Sequence, residues 1–195
     1  MLAMRTGGHR DLERLYSAFA LDFDRRELLP KLAIHKAMTA GDQELLVFYD
    51  EQSNITVGYA LVMVRGVYGY VLLKYFGILQ WFREQGLGVQ AMRLLNKRYA
   101  DRQGILAELT VFDDEEGITL RKLRKFFSRF GYVDVESDYR LGGAKVDLLV
   151  KPIRGTAELA PVAHRVILDF YSRCLRPASM EKMLDIRPAE KGEAQ

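Results

Sequence analysis

The sequence has little of several residue types that mark whole classes of protein. One cysteine, Cys174, stands among 195 residues, so no disulfide can form within the chain, and this favours a reducing compartment. No apolar run approaches the roughly 18 residues that a membrane-spanning helix needs, and residues 1–11 lack the apolar core of a signal peptide. We therefore expect a cytoplasmic protein without a membrane partner.

Histidine and net charge are scarce as well. The three histidines, His9, His35 and His164, are far apart and show no ligand spacing, which predicts no metal site. The formal net charge of +3 is too small to indicate nucleic-acid binding by itself. One predicted helix, 118–130, has a strongly basic face, but no helix-turn-helix partner accompanies it. We predict no nucleic-acid partner and interpret this face as a solvated surface or an anion contact.

The rest of the composition is typical of a globular domain, with 49% hydrophobic and 28% charged residues. Hydrophobic periodicity predicts the element order ααβββαβαββα. The strand–helix–strand unit at 70–112 implies two parallel strands joined by a helical crossover, whereas the flanking hairpins are antiparallel. The predicted fold class is α/β (α+β), a twisted mixed sheet with helices on both faces. Helices are predicted at 10–21, 25–40, 118–130 and 156–176, and a further helix follows the third strand and ends near residue 103. Strands are predicted at 44–50, 54–66, 68–79, 105–112, 132–141 and 144–152.

The chain divides into a domain and an extension. We interpret residues 1–153 as one domain and 154–195 as a C-terminal helical extension packed on the same domain. Apolar residues recur at helical spacing between 156 and 176, and the tail from Arg187 has a composition typical of disorder. The Gly142-Gly143 pair predicts a hairpin between the last two strands.

The stretch FREQGLGVQAM at 82–92 is the strongest chemical signal. It lies between a predicted strand and a predicted helix, where unpaired backbone N–H groups and glycine suit an anion such as pyrophosphate. The pattern is not a P-loop, because no G-x-x-x-x-G-K-[ST] is present. It is also a poor dinucleotide fingerprint, since Ala91 replaces the last glycine and the stretch follows the third strand rather than the first.

The hexapeptide at 83–88, Arg-x-x-Gly-x-Gly, resembles the coenzyme A pyrophosphate loop of the GNAT acetyltransferases. The segment FFSRFGY at 126–132 is similar to the aromatic pair and Gly-aromatic step that follow in that family. VGYALVMV at 57–64 and KYFGILQ at 74–80 are similar to its central strands. The resemblance covers about residues 5–180 and is nearest to a small bacterial branch of these enzymes.

The resemblance implies the GNAT acyl-CoA N-acyltransferase fold and an N-acetyltransferase that uses acetyl-CoA. The acetyl group would pass to a primary amine of a small molecule or peptide by direct attack in a ternary complex. Ile78 and Gln80 would bind pantetheine through their main chains, and Gly77 would mark the bulge that opens the sheet. The pyrophosphate would be held by Arg83, Glu84, Gln85, Gly86, Leu87 and Gly88.

Glu108 is the predicted general base. It interrupts the apolar strand ILAELTVF directly after the crossover helix, and burial would raise the pKa of its carboxyl toward a useful value. The alternative is a structural carboxylate paired with a neighbouring lysine or arginine. Asp113 and Asp114, at the end of the same strand, are weaker candidates. Cys174 is expected to be structural rather than a nucleophile.

The general acid is in doubt, because Phe127 stands where the family commonly has a tyrosine. Water, Tyr132 or Tyr139 could protonate the leaving thiolate, or it could leave unassisted. The alternative function is a catalytically weak acyl-CoA-binding or regulatory module with the same fold. The acceptor is not identified by the sequence, and a homodimer contact through the C-terminal helix stays open.

Overall fold

The computed structural model describes residues 1–110, 117–154, 159 and 162–187. The strands are β1 Leu2–Thr6, β2 Gln43–Asp50, β3 Thr56–Met63, β4 Tyr70–Ile78, β5 Gly104–Leu109, β6 Val133–Val135, β7 Asp138–Leu141, β8 Ala144–Lys145, β9 Asp147–Pro152 and β10 Leu184–Arg187. The helices are α1 His9–Asp22, α2 Lys31–Ala40, α3 Leu87–Arg98, α4 Ile118–Ser128, α5 Ala163–Ser172 and α6 Pro177–Met183. Short 3-10 turns lie at Val67–Gly69 and Gln80–Phe82.

Seven strands form the main sheet in the order β1-β2-β3-β4-β5-β9-β6. The pair β4 and β5 is parallel and joined through α3, which confirms the crossover predicted at 70–112. The other described pairs are antiparallel. A second, small sheet contains β10-β7-β8 in that order, also antiparallel. The mixed sheet of the predicted fold class is therefore confirmed.

Apolar side chains cover both faces of the main sheet, as the sequence predicted. One core, which we call the α1 face, packs side chains of α1, α2 and α5, including Phe19 and Phe170, against the sheet. The other core, the α3 face, packs α3 and α4 there, including Met92 and Phe127. Strand β5 shows the consequence of burial on both sides, since Leu106 belongs to the first core and Ala107 to the second.

Two segments near the N-terminus differ from the sequence prediction. Residues 2–6 form the edge strand β1, which the prediction missed, and a five-residue edge strand leaves little period-2 signal. The second helix begins at Lys31 rather than near 25. Pro30 is the reason, because proline disfavours helical geometry in the residue before it. Residues 24–29 are consequently a loop, which proves important for the site.

The C-terminal third is also divided differently. Gly142-Gly143 does turn a hairpin, but that hairpin joins β7 to β8 in the small sheet. Strands β6 and β9 pair with each other in the main sheet instead. The last long helix is shorter than the predicted 156–176, and β10 adds a strand to β7. The tail predicted to be disordered from Arg187 lies, beyond that residue, outside the described part of the chain.

Two features are not found among the described residues. No helix there is both long and apolar enough to cross a membrane. No group of three or more histidine, cysteine, aspartate or glutamate residues is placed there to hold a metal ion.

Candidate functional site

A cavity of about 840 Å³ opens where β4 and β5 separate. Their pairing ends at Leu73 and Ala107. On its other side β4 carries a bulge at Lys74, because Leu61 pairs with Tyr75 while the next residue of β3 pairs with Leu73. The bulge places the consecutive side chains of Lys74 and Tyr75 on the α1 face. The cavity thus passes through the sheet and is lined from both faces.

The predicted bulge at Gly77 is wrong, since Gly77 pairs in register with Tyr59. Its missing side chain has another explanation. A Cβ atom there would lie 2.7 Å from the Tyr59 ring and 2.9 Å from a carboxylate oxygen of Asp22. Glycine is needed at this position because the side chains of β3 and α1 meet directly over the backbone.

The free edge of β4 forms one wall of the cavity. Gly77 lies opposite Tyr59, and the Leu79 N–H donates to the Val57 carbonyl, so these residues bond toward β3. The main-chain groups of the alternating residues Phe76 and Ile78 therefore point toward the gap left by β5. The Ile78 carbonyl accepts a hydrogen bond from Arg83 Nε at 2.8 Å.

The amino end of α3 closes the cavity on the α3 face. Gly86 is the residue before the helix, with a left-handed φ of 72°, and Glu84 also has a left-handed φ of 64°. The Gly86 carbonyl accepts from the N–H groups of Val89 and Gln90. Among the described residues, the N–H groups of Gly86, Leu87 and Gly88 find no acceptor. This end therefore offers free donors together with the positive pole of a helix.

Gly88 keeps this end of the cavity open. A Cβ atom there would lie 3.8 Å from Ile78 Cγ1 and 3.9 Å from Phe126 Cε2. Any larger side chain would thus extend between the edge of β4 and helix α4. The absence of a side chain leaves a passage from the α3 amino end to the gap between the strands.

The structure brings most of the predicted cofactor residues to this cavity. Those in its lining are Ile78, Arg83, Glu84, Gly86, Leu87 and Gly88. Gln80 and Gln85 are not in the lining; Gln80 belongs to a 3-10 turn, and the Gln85 amide donates to the Trp81 carbonyl at 3.4 Å. The guanidinium of Arg83 is held by Asp22 at 2.5 Å, and Asp22 also accepts from the Tyr59 hydroxyl at 2.6 Å.

Glu108 lies on the cavity wall, and one of its two carboxylate oxygens is engaged. Its Oε2 accepts from Lys74 Nζ at 2.9 Å and from the Tyr171 hydroxyl at 2.7 Å. The side chains of Lys74 and Glu108 are 0% and 1% exposed. The second oxygen, Oε1, is enclosed and has no hydrogen-bond partner. The contacts of Glu108 are those of the structural ion pair that the sequence left as the alternative.

Glu27 is a buried carboxylate that the sequence analysis did not single out. It lines the cavity from the loop between α1 and α2 and is only 7% exposed. Burial raises the pKa of Glu27 to about 7; Lys74 opposes the rise, and the nearby Glu108 adds to it. The segment RRELLPKL gave no signal, because a predicted helix over 25–40 made Glu27 one more polar residue on a helix.

The aromatic residues considered as proton donors to the thiolate either lie away from the cavity, as do Tyr132 and Tyr139, or have no acidic proton, as is the case for Phe127. Phe127 lines the cavity and packs edge-on against Tyr132 with ring centres 5.0 Å apart. The Tyr132 hydroxyl donates to Asn96 at 3.3 Å instead of facing the gap. Tyr139 is buried on the α1 face with an unpartnered hydroxyl. Burial raises the pKa of both tyrosines.

The remaining sequence candidates lie elsewhere. Asp113 and Asp114 are outside the described residues. The Cys174 thiol accepts from the Gln43 amide at 3.0 Å, and burial raises the pKa of the thiol to about 12, which suits an unreactive cysteine. On the basic face of α4, Arg124 forms ion pairs with Asp134 and Asp147. The other basic residues of that face are Arg121, Lys122, Lys125 and Arg129.

Comparison with known proteins shows a likeness in structure alone. No protein-family model matches the chain, and no curated protein gives a significant match. A GNAT-family protein from Bacteroides thetaiotaomicron superimposes with a TM-score of 0.68 at 13% identity, covering 89% of this chain and 99% of the other. The spermidine N-acetyltransferase of Vibrio cholerae, solved with CoA and spermine, superimposes with a TM-score of 0.60 at 10% identity. The match covers 78% of this chain and 95% of the other.

A third neighbour is NAA60 of Arabidopsis thaliana in complex with acetyl-CoA. It gives a TM-score of 0.60 at 15% identity, covering 80% of this chain and 100% of that one. At such low identities the likeness concerns the fold. The chain has the GNAT acyltransferase fold, as the resemblance in sequence implied.

Proposed function

We propose that this protein is an enzyme, an N-acetyltransferase that transfers the acetyl group of acetyl-CoA to a primary amine by direct attack in a ternary complex. One observation carries the proposal. A single cavity joins the free N–H groups at the amino end of α3 to two buried carboxylates, through the gap between β4 and β5. An acyl carrier with a phosphate at one end and a thioester at the other suits a site built in this way.

The phosphate end supports the cofactor residues named from the sequence. The unbonded N–H groups of Gly86, Leu87 and Gly88 are suited to the pyrophosphate. Arg83 adds a full positive charge, and its bonds to Asp22 and to the Ile78 carbonyl hold it beside the loop. Glu84 supports the turn through its left-handed backbone. We propose a supporting role only for Gln85, which lies outside the cavity lining.

The free edge of β4 supports a main-chain site for pantetheine. An amide-bearing chain can pair with exposed strand groups as an added strand would. Ile78 presents its main-chain N–H and C=O groups to the gap, and so does Phe76, two residues earlier in the strand. Gln80 lies beyond the end of β4 in a 3-10 turn, so its part in this pairing is the weaker proposal.

The buried carboxylates support transfer to an amine. An alkylammonium with a pKa near 10.4 must lose a proton before attack, which costs about 4.6 kcal/mol at pH 7. A general base near the thioester lowers this cost. The solved neighbours offer precedents for the two substrates: one is bound to CoA and spermine and another to acetyl-CoA. We propose a primary amine of a small molecule or peptide as the acceptor here.

We propose a cytoplasmic enzyme of a small bacterial branch, with residues 1–153 as its catalytic domain and 154–195 as an extension. Packing of Val166, Ile167 and Phe170 into the core of the α1 face supports treating the extension as part of the same unit. Ion pairs of Arg124 within the chain support a structural basic face rather than a nucleic-acid surface.

Calorimetric titration with acetyl-CoA tests the site. Gly88→Asp should weaken binding by at least about 100-fold, since it adds bulk to the passage and a negative charge to the anion end. Gly8→Asp is the matched control, because it adds the same charge at the amino end of α1 in open space. Absence of binding to the unmodified protein would overturn the proposal, and equal affinities for all three proteins would overturn the assignment of the loop.

Thiol release from acetyl-CoA tests catalysis separately from binding. Phe127 supports the alternative of a weakly active acyl-CoA-binding module, because it lines the cavity and supplies no proton to the leaving thiolate. An enzyme should release thiol faster with L-lysine, spermine or a short peptide than without amine. Tight binding of acetyl-CoA with no amine-dependent release from a broad amine panel would favour the binding module.

A further inference from the structure

Two buried carboxylates, Glu27 and Glu108, line the cavity, and they differ in their hydrogen-bond partners. We propose that Glu27, on the loop between α1 and α2, removes the proton from the acceptor amine. Lys74, Glu108 and Tyr171 then act as positioning residues that hold charge beside it. This inference rests on the proposed acetyl transfer and assigns its proton acceptor to a residue other than the one that the sequence favours.

Glu108 is unsuited to the task because its oxygens are taken or enclosed. Oε2 bonds to Lys74 and Tyr171, and Oε1 is shut off from solvent. Burial raises the pKa of the Tyr171 hydroxyl, so it stays protonated and remains a donor to Glu108. A proton could reach Oε2 only after one of these bonds breaks, which leaves a buried lysine or hydroxyl without its partner.

Glu27 has none of these restraints. Its carboxylate accepts no hydrogen bond from any described side chain, and it lines the same cavity. Its backbone is nonetheless fixed. The Tyr75 hydroxyl donates to the Glu27 carbonyl at 3.0 Å and accepts from the Leu29 N–H at 2.7 Å. A backbone hydrogen bond from Asp24 helps to orient the carboxylate. A fixed loop that presents a carboxylate without a side-chain partner to a cavity is the arrangement that a general base needs.

The surrounding charges tune this carboxylate. From β4 it faces Lys74 and Tyr75, from β5 Glu108, and from β7 Tyr139, while Asp24 shares its loop. Burial is the largest influence on its pKa and favours the neutral acid, and the charge of Glu108 acts in the same direction. Lys74 opposes them, as does a hydrogen bond from the Asp24 backbone, which outweighs the charge of the Asp24 carboxylate. The pKa of about 7 that results lets the group accept a proton near neutral pH and release it again.

Acetyl transfer redistributes the three protons of the acceptor ammonium group. One ammonium proton moves to the Glu27 carboxylate, and the neutral nitrogen attacks the thioester carbonyl carbon. The C–N bond forms, the C–S bond breaks, and a second nitrogen proton reaches the thiolate through solvent, giving the free thiol. The third proton stays on the amide nitrogen. Glu27 returns its proton to water after the products leave.

Glu27→Gln tests the assignment, with Glu51→Gln, an exposed carboxylate in the β2–β3 turn, as the matched control. Acetyl-CoA affinity should not change. With L-lysine, spermine or a short peptide as the probe amine, kcat/KM should fall roughly 10²- to 10⁴-fold. The rise of kcat/KM with pH through about 7 should be lost in Glu27→Gln and retained in Glu51→Gln.

A second measurement needs no acceptor. In protein labelled with ¹³C at glutamate side-chain carboxyls, one resonance should titrate near neutral pH, and it should vanish in Glu27→Gln alone. No such resonance, or unchanged turnover and pH profile in Glu27→Gln, overturns the inference while leaving the proposed function intact. Failure of the unmodified protein to bind acetyl-CoA would instead remove the proposed function, and the two failures are therefore distinguishable.

Discussion

The two ends of the cavity are built from different parts of the chain. The end at α3, for which we propose pyrophosphate binding, consists of backbone from one continuous segment, 83–88, at the start of that helix. The carboxylate end, which we define as Glu27, Lys74 and Glu108, comes from three segments far apart in sequence and is buried. Main-chain donors are exposed at the first end, whereas charged side chains lie in a low-dielectric core at the second. Changes at the carboxylate end should therefore affect stability far more.

The largest expected effect is that of Lys74→Met. It leaves the Glu108 carboxylate buried without its cation and should lower the free energy of unfolding by about 3–5 kcal/mol. Lys31→Met is the matched control, because Lys31 pairs with Glu13 at the surface, where the loss should stay below about 1 kcal/mol. Urea denaturation measures both. Similar losses in the two variants would mean that burial does not distinguish these ion pairs.

Glu27→Gln should change how stability depends on pH. The pKa of Glu27 is raised in the folded protein, from 4.5 to about 7, so the unfolded chain ionises first and stability falls as pH rises between these values. The loss amounts to about 3 kcal/mol across that range. Glu27→Gln should remove it, so its stability relative to the unmodified protein should increase between pH 4.5 and pH 8. Parallel denaturation profiles for the two proteins would contradict the raised pKa.

Tyr171→Phe should have the next effect. It removes one of the two hydrogen bonds to Glu108 Oε2 without changing the packing of α5 and should destabilise the fold by about 2 kcal/mol. Tyr16→Phe is the control, since the Tyr16 hydroxyl donates to a carbonyl, that of Leu29, rather than to a charged group. A loss no greater than that of Tyr16→Phe would show that Tyr171 contributes little to holding Glu108.

Gly86→Ala should have the smallest effect. At a φ of 72° an alanine is strained, and the free energy of unfolding should fall by about 1 kcal/mol although the space around Gly86 is empty. Gly88→Ala, inside the first turn of α3, should cost no stability, because its contacts at 3.8–4.0 Å are ordinary. The thermal unfolding midpoints of the two variants distinguish the effect of backbone strain from the effect of adding a methyl group. Equal midpoints would argue against strain at Gly86.

The local features of the site could be predicted from the sequence. The 83–88 loop, the helix that follows it and the parallel crossover of β4 and β5 all depend on neighbouring residues, and the structure places them as expected. The predicted bulge at Gly77 was wrong. A glycine in a strand marks either a bulge or a close contact, and only the positions of Tyr59 and Asp22 decide between them.

The sequence by itself determined the fold class, the glycine turn before α3 and the presence of an acidic residue in a buried strand. Periodicity, glycine geometry and helix ends are properties of short segments, so a sequence records them directly. The tertiary structure alone decided which carboxylate is free. The bulge in β4 places Lys74 beside Glu108, and Tyr171 of the distant helix α5 donates to the same carboxylate. Because α2 begins only after Pro30, Glu27 lies in a loop. The protonation state of a buried group depends on the groups around it in space. Those groups are far apart in the sequence, so the sequence alone does not identify them.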